Sequence, residues 1–161
     1  MKVKQHDYIE RGTTVFLRFA VLAIGVTILA LCGLLIRIMT TEDVGGYLPI
    51  LIGMCLAALP FFYGLYQALK LLGYIDTNQA FSELSVNALG RLKYCATGIS
   101  ALYVFGLPYI FIVADSDDAP GVILMALVII FASAVATVFA AVMQKVLRTA
   151  VDMKSEHDLT V

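Results

Sequence analysis

Four long apolar runs, separated by short polar breaks, organise the chain. They cover about residues 14–39, 47–72, 92–114 and 121–146. Each exceeds the roughly 20 residues that a helix rising about 1.5 Å per residue needs to cross a hydrocarbon core about 30 Å thick. No fifth run qualifies. The first is longer than the roughly 7–15 apolar residues of a signal-peptide core, and no small-residue cleavage pattern follows it, so it is expected to remain in the mature chain. The pattern predicts an all-α integral membrane four-helix bundle, with residues 1–161 as a single four-span domain.

The polar breaks carry helix signals. Pro120 stands where the fourth helix would begin, just after Asp115-Ser116-Asp117-Asp118. Proline suits a first helical position because its missing N–H has no partner there, and carboxylates favour the positive end of the helix dipole. In the middle break, Phe81-Ser82-Glu83-Leu84-Ser85-Val86 reads as another start, with Ser82 as N-cap, Glu83 at the favourable dipole end and Phe81 placed to staple onto Val86. From there Leu84, Ala88, Leu89 and Leu92 recur at helical spacing, with Asn87, Arg91 and Lys93 at polar positions. Past the fourth run, Val142, Val146, Ala150 and Met153 share one face, while Arg148 and Asp152 are spaced to pair at i,i+4. Spans three and four are therefore expected to have cytoplasmic extensions, which either pack together or lie on the inner leaflet.

Composition reinforces the membrane reading. The chain is 61% hydrophobic and 14% charged, with a mean hydropathy of +0.91, against about 45–50% apolar and about 25% charged residues in soluble domains. A net charge of -1 attracts no nucleic acid, so charge placement is what informs. Lys2, Lys4, Arg11, Arg18, Lys70, Arg91, Lys93, Lys145, Arg148 and Lys154 flank the termini and the middle break, leaving only Arg37 on the other side. Lys and Arg are retained on the cytoplasmic side, so both termini and the middle loop are expected inside. Arg18 and Arg37 lie near the ends of the first run, where they can snorkel, and Arg37 can also pair with Glu42 or Asp43. Asp115, Asp117 and Asp118 offer oxygen ligands along one loop, as a Ca²⁺ site does, but so short a loop supplies few of the oxygens Ca²⁺ requires, and no metal is expected.

Within the spans, Ala132, Ala136 and Ala140 form one small-residue stripe and Ser133, Thr137 and Ala141 a second. Small residues mark close helix contacts in membranes. Periodicity leaves open whether these meet within one chain or make span four the face of a homo-oligomer, with packing within the chain as the default. Pro60 and Pro108 interrupt spans two and three among aromatic residues. Helices tend to kink at such positions. Pro60, Tyr63, Gln67, Tyr103, Pro108 and Tyr109 thus mark a candidate cavity or hinge. Membrane-tolerated prolines and interfacial tyrosine belts account for the same residues without a ligand, and more economically.

No catalytic constellation emerges. His6 and His157 lie in opposite termini, and no HExxH, nucleophile-elbow or P-loop pattern occurs. No span carries an ionisable residue near its midpoint, which argues against proton-coupled transport and intramembrane aspartyl chemistry. Cys32, Cys55 and Cys95 lie in apolar runs as packing residues. No cofactor and no enzyme activity are expected, and the dispersed positive charges, interleaved with acids, do not make a surface for direct nucleic-acid binding.

Two segments carry a resemblance: Ala80-Phe81-Ser82-Glu83, followed by Asn87, Leu89, Leu92 and Lys93-Tyr94-Cys95, and the tail from Lys154 to Leu159-Thr160-Val161. On these the chain resembles the YoaS-like family of small bacterial membrane proteins, domain of unknown function 2975. The four-span hydropathy extends the likeness over nearly the whole chain, but only those two short segments are specific. The resemblance implies a Bacillus-like source, a plasma-membrane location and, from gene neighbourhood, a helix-turn-helix regulator as partner. It brings no catalytic residues. The expected role is that of a membrane partner or sensor acting through its cytoplasmic face, with Phe81, Ser82, Glu83, Arg91, Lys93, Arg148 and Glu156 as the candidate interaction residues. The alternative is a small transporter, channel or immunity-type protein with its path near spans two and three.

Overall fold

The computed structural model describes residues 2–41, 44–77 and 79–159, with side chains for 14–41, 44–77 and 79–156. These residues form four long helices: α1 (Lys2–Thr41), α2 (Leu48–Asp76), α3 (Glu83–Ser116) and α4 (Pro120–Leu159). Each is long and apolar enough to cross a membrane, over Thr14–Thr41, Gly45–Asp76, Glu83–Ser116 and Pro120–Glu156. The expected pairing of Arg37 with Glu42 or Asp43 lies outside the described residues.

Local chemistry sets the helix ends. A 3-10 turn at Gly45–Tyr47 leads into α2, entered through Gly45 at φ +48°, and Pro49 sits in the first turn of α2, where its missing N–H removes no helical bond. Ser82, in extended conformation, caps α3 by accepting from the Ser85 amide at 3.4 Å. Its own hydroxyl donates to the Gln79 carbonyl at 2.7 Å, and the Ser85 hydroxyl donates to the same oxygen at 3.0 Å. The turn before α3 is thereby tied down. α4 begins at Pro120, as its sequence signal predicts.

Every extensive contact is between helices consecutive in sequence: α3 with α4 foremost, then α2 with α3, then α1 with α2. The helices therefore stand in chain order, with α3 flanked by α2 and α4. The turns joining α1 to α2 and α3 to α4 share one end, where the Tyr109 hydroxyl donates to the Gly46 carbonyl at 2.9 Å. This is the acidic end, with Asp115, Asp117 and Asp118. The opposite, basic end holds Arg18, Lys70, Arg91, Lys93, Lys145, Arg148 and Lys154.

Buried side chains are mostly small or of middle size, among them Ala57, Ala88, Cys95, Ala114, Ala126 and Ala140, and large apolar ones face outward, such as Phe105 and Phe131. In water so large an apolar exterior would aggregate; in lipid it is the natural exterior, and helices meet through small residues that allow close backbone approach. Gly64 illustrates this, since a Cβ there would lie 3.4 Å from the Cys95 Cβ and from Leu92 Cδ1 of α3.

Candidate functional site

At the basic end the first turns of α3 are the most deeply buried stretch among the described residues. Ser85, Val86, Ala88, Leu89 and Gly90 are all buried. Gln144 of α4 lies against them, its Nε2 donating to the Val86 carbonyl at 3.4 Å while its Oε1 accepts from Lys93 Nζ at 3.3 Å. Gly90 makes room for it, because a Cβ there would sit 2.6 Å from Gln144 Nε2. One turn further into the span, the Thr97 and Thr137 hydroxyls lie 3.5 Å apart. These contacts clamp the start of α3 against α4, and α4 continues beyond them to Leu159.

The clamp gathers some of the predicted interaction residues and leaves others apart. Ser82 is the cap, Lys93 joins Gln144 and lies 5.1 Å from the centre of the Tyr94 ring, and Glu83 and Arg91 are exposed on α3. Phe81 is 60% exposed, so it does little as a staple on Val86, which is only 2% exposed. Arg148 and Glu156 are exposed on α4. The expected Arg148–Asp152 pair is absent among the described residues, and Asp152 instead offers its carbonyl to the Ser155 hydroxyl at 2.8 Å. An exposed i,i+4 pair is worth only about 0.3–0.5 kcal/mol, too little to hold two long side chains together against solvation.

The six cavity or hinge candidates fall in separate places. Tyr103 and Tyr109 line a small pocket of about 160 Å³ between the start of α2 and the end of α3, together with Pro49 and Gly53. Tyr63 and Pro108 are exposed. Gln67 is 2% exposed, and neither atom of its amide has a hydrogen-bond partner among the described residues. Pro60 lies in the wall of a groove of about 880 Å³ that runs between α2 and α4 with α3 as its floor. The small-residue stripes divide accordingly. Ala132, Ser133, Ala136 and Ala140 all line the groove, with Ala140 buried at its floor and Ala132 and Ala136 exposed, while Thr137 is half-buried beside Thr97.

Two features escaped the sequence reading. The groove needed knowledge of which helices are neighbours. Arg18, at the end of its span, places Nη2 2.6 Å from Asp76 Oδ2 and joins α1 to α2 at the basic end. The available signal was that both residues lie at the same end of adjacent spans. None of these arrangements brings a nucleophile, base and oxyanion donor together among the described residues, and no group of three His, Cys, Asp or Glu placed to hold a metal is found among them.

Residues 37–161 match the family described as Protein of unknown function (DUF2975). The chain is 50% identical over 159 residues to the Uncharacterized membrane protein YoaS of Bacillus subtilis (strain 168), an alignment covering 94% of this chain and 99% of that protein. No solved structure matches it.

Proposed function

The chain belongs to the DUF2975 family and is a multi-pass membrane protein, and from that premise we propose that it is a non-enzymatic membrane partner or sensor whose basic end faces the cytoplasm and docks a regulator protein. The observation that carries this is the continuation of α4. From Gln144, level with the clamped start of α3, it runs to Leu159, about 22 Å further along its axis at about 1.5 Å per residue. Its described side chains beyond Met153 are polar and exposed, so this stretch is dressed for water. The distribution of Lys and Arg supports an inward orientation for it. A helix-turn-helix regulator is the partner class that the family resemblance implies.

Truncation after Arg148 tests the proposal. The clamp at Gln144 is kept, so the shortened chain should still insert and fold, while co-purification with a helix-turn-helix regulator from the same cells should be lost. Association that survives the truncation, or that the full chain never shows, overturns the reading.

A second reading, a carrier for a lipophilic compound, is favoured by the groove that begins at Pro60. Flux of such a compound in proteoliposomes at the level of empty vesicles would count against it.

A further inference from the structure

We propose that the groove between α2 and α4 is a lipid site: it holds the acyl chains of an anionic phospholipid from the surrounding bilayer, with the headgroup at the basic end beside Lys154.

The chemistry of the wall dictates an apolar occupant. From Pro60, Leu92 and Ala96 to Ala136, Met143 and Ala150 the groove is lined by hydrocarbon. Ser133, the one hydroxyl-bearing residue in the wall, already donates to the carbonyls of Ile129 and Ile130 at 2.7 and 3.0 Å. Beyond the accepting capacity of the Ser133 oxygen and the weakly donating Cys95 thiol, the side chains of the wall offer no hydrogen bond, so the occupant they suit is apolar over nearly all its length.

Length suits a lipid. On α4 the lining runs from Ile129 to Ala150, about 31 Å of helix, and acyl chains as long as a leaflet is deep (about 15 Å) lie within that length when they enter from the basic end.

Recess and charge make this a site rather than ordinary lipid contact. The outward faces of α4 carry Phe131, Val135 and Val138, which present a full surface to the bilayer, whereas Ala132 and Ala136 leave a hollow walled on three sides by α2, α3 and α4. The line Met143, Leu147 and Ala150 continues, one turn on, to the exposed Lys154. Asp152 and Glu156 are each about 200° away around the helix at about 100° per residue. On the other walls Asp76 is paired with Arg18, and Glu83 stands exposed at the start of α3, so Lys154 is the cation that the α4 side of the groove offers to a phosphate-bearing headgroup with net negative charge.

This inference stands apart from the regulator reading, and its test keeps the full-length chain. The protein is purified in mild detergent, exposed to bilayer nanodiscs of phosphatidylglycerol or phosphatidylcholine, and the retained lipid is counted by native mass spectrometry. The wild type should retain phospholipid, phosphatidylglycerol in preference. Ala136→Phe, and more mildly Ala132→Leu, should lose it. Val138→Phe, on the lipid-facing side, should behave as wild type and shows that an added ring alone is harmless. Lys154→Gln should keep lipid but lose about fivefold of the anionic preference. Melting curves identify any variant that has failed to fold, and Ala132→Leu carries the test if Ala136→Phe has. Equal retention by the wild type and the folded groove variants overturns the proposal. So does a dimer of the full chain that Ala136→Phe dissociates, which would place a second copy on this face.

Discussion

The pairs α3–α4 and α1–α2 pack in the same solvent by different means. α3 and α4 meet through buried small residues and are tied by Gln144 to Val86 and Lys93, with Thr97 and Thr137 close by. α1 meets α2 through Gly25 against Leu65 and one ion pair at the basic end, Arg18 with Asp76, and its most apolar stretch has no buried residue. Lipid gives helices no hydrophobic reason to associate, so close packing and interhelical hydrogen bonds decide how firmly a pair holds. α3–α4 has close packing and, over its basic half, interhelical hydrogen bonds. Among the described residues α1–α2 has an ion pair at one end, and most of the α1 surface faces lipid. The described residues therefore make a firm α2–α3–α4 unit with α1 as a more lightly packed outer helix.

The largest effect should come from filling the clamp. In Gly90→Leu the new side chain takes the space of the Gln144 amide, which a Cβ alone would approach to 2.6 Å. Overpacking and the loss of two interhelical hydrogen bonds together should cost about 2–3 kcal/mol in equilibrium unfolding in mixed micelles. Combining it with Gln144→Ala frees the space, so Gly90→Leu should cost less than about 1 kcal/mol in that background. Equal costs in the two backgrounds would mean that Gln144 is not what occupies the site, and the contrast between the helix pairs would lose its main support.

Next in size, and opposite in sign, is Gln67→Leu. Its buried amide has no hydrogen-bond partner among the described residues, a state that costs about 1–3 kcal/mol. Leucine fills a similar space without that demand. The variant should unfold about 1 kcal/mol less readily in the same micelle assay. Destabilisation instead would show that the amide is satisfied in the membrane, which would add a polar tie to the α2 side and narrow its difference from α4.

Which features were legible in the sequence follows from how local their causes are. The four long apolar helices, the Ser82 cap and the Pro120 start each depend on residues close together in the chain, and each is present in the structure. Gln144 and Gly90 are 54 positions apart, and nothing in either run says that a lone glutamine at the end of one span faces a glycine at the start of another. Arg18 and Asp76 likewise belong to different spans, so only helix order and end-to-end register could have paired them. The alanine stripe was visible as a stripe. That all three alanines line one groove, Ala140 buried and Ala132 and Ala136 exposed, depends on where α2 and α3 stand against α4. Periodicity shows that a face is special before it shows what the face meets.

The smallest effect concerns the other side of the comparison. The Arg18 and Asp76 side chains are 43% and 29% exposed, so their pair is partly screened and worth about 0.5–1 kcal/mol at most. Arg18→Gln should therefore leave global unfolding nearly unchanged and act on α1 alone. Hydrogen exchange should rise in α1 but not in α2 to α4, because helices held in place by the clamp gain nothing from this pair. Asp76→Asn should have the same effect, and the double variant should add little to either, since both remove one interaction. Raising the ionic strength should weaken the wild-type protection of α1 and leave the variants as they are. If exchange instead rose across α3 and α4 as well, α1 would be part of one cooperative unit with the clamp, and the division into a firm unit and an outer helix would be wrong.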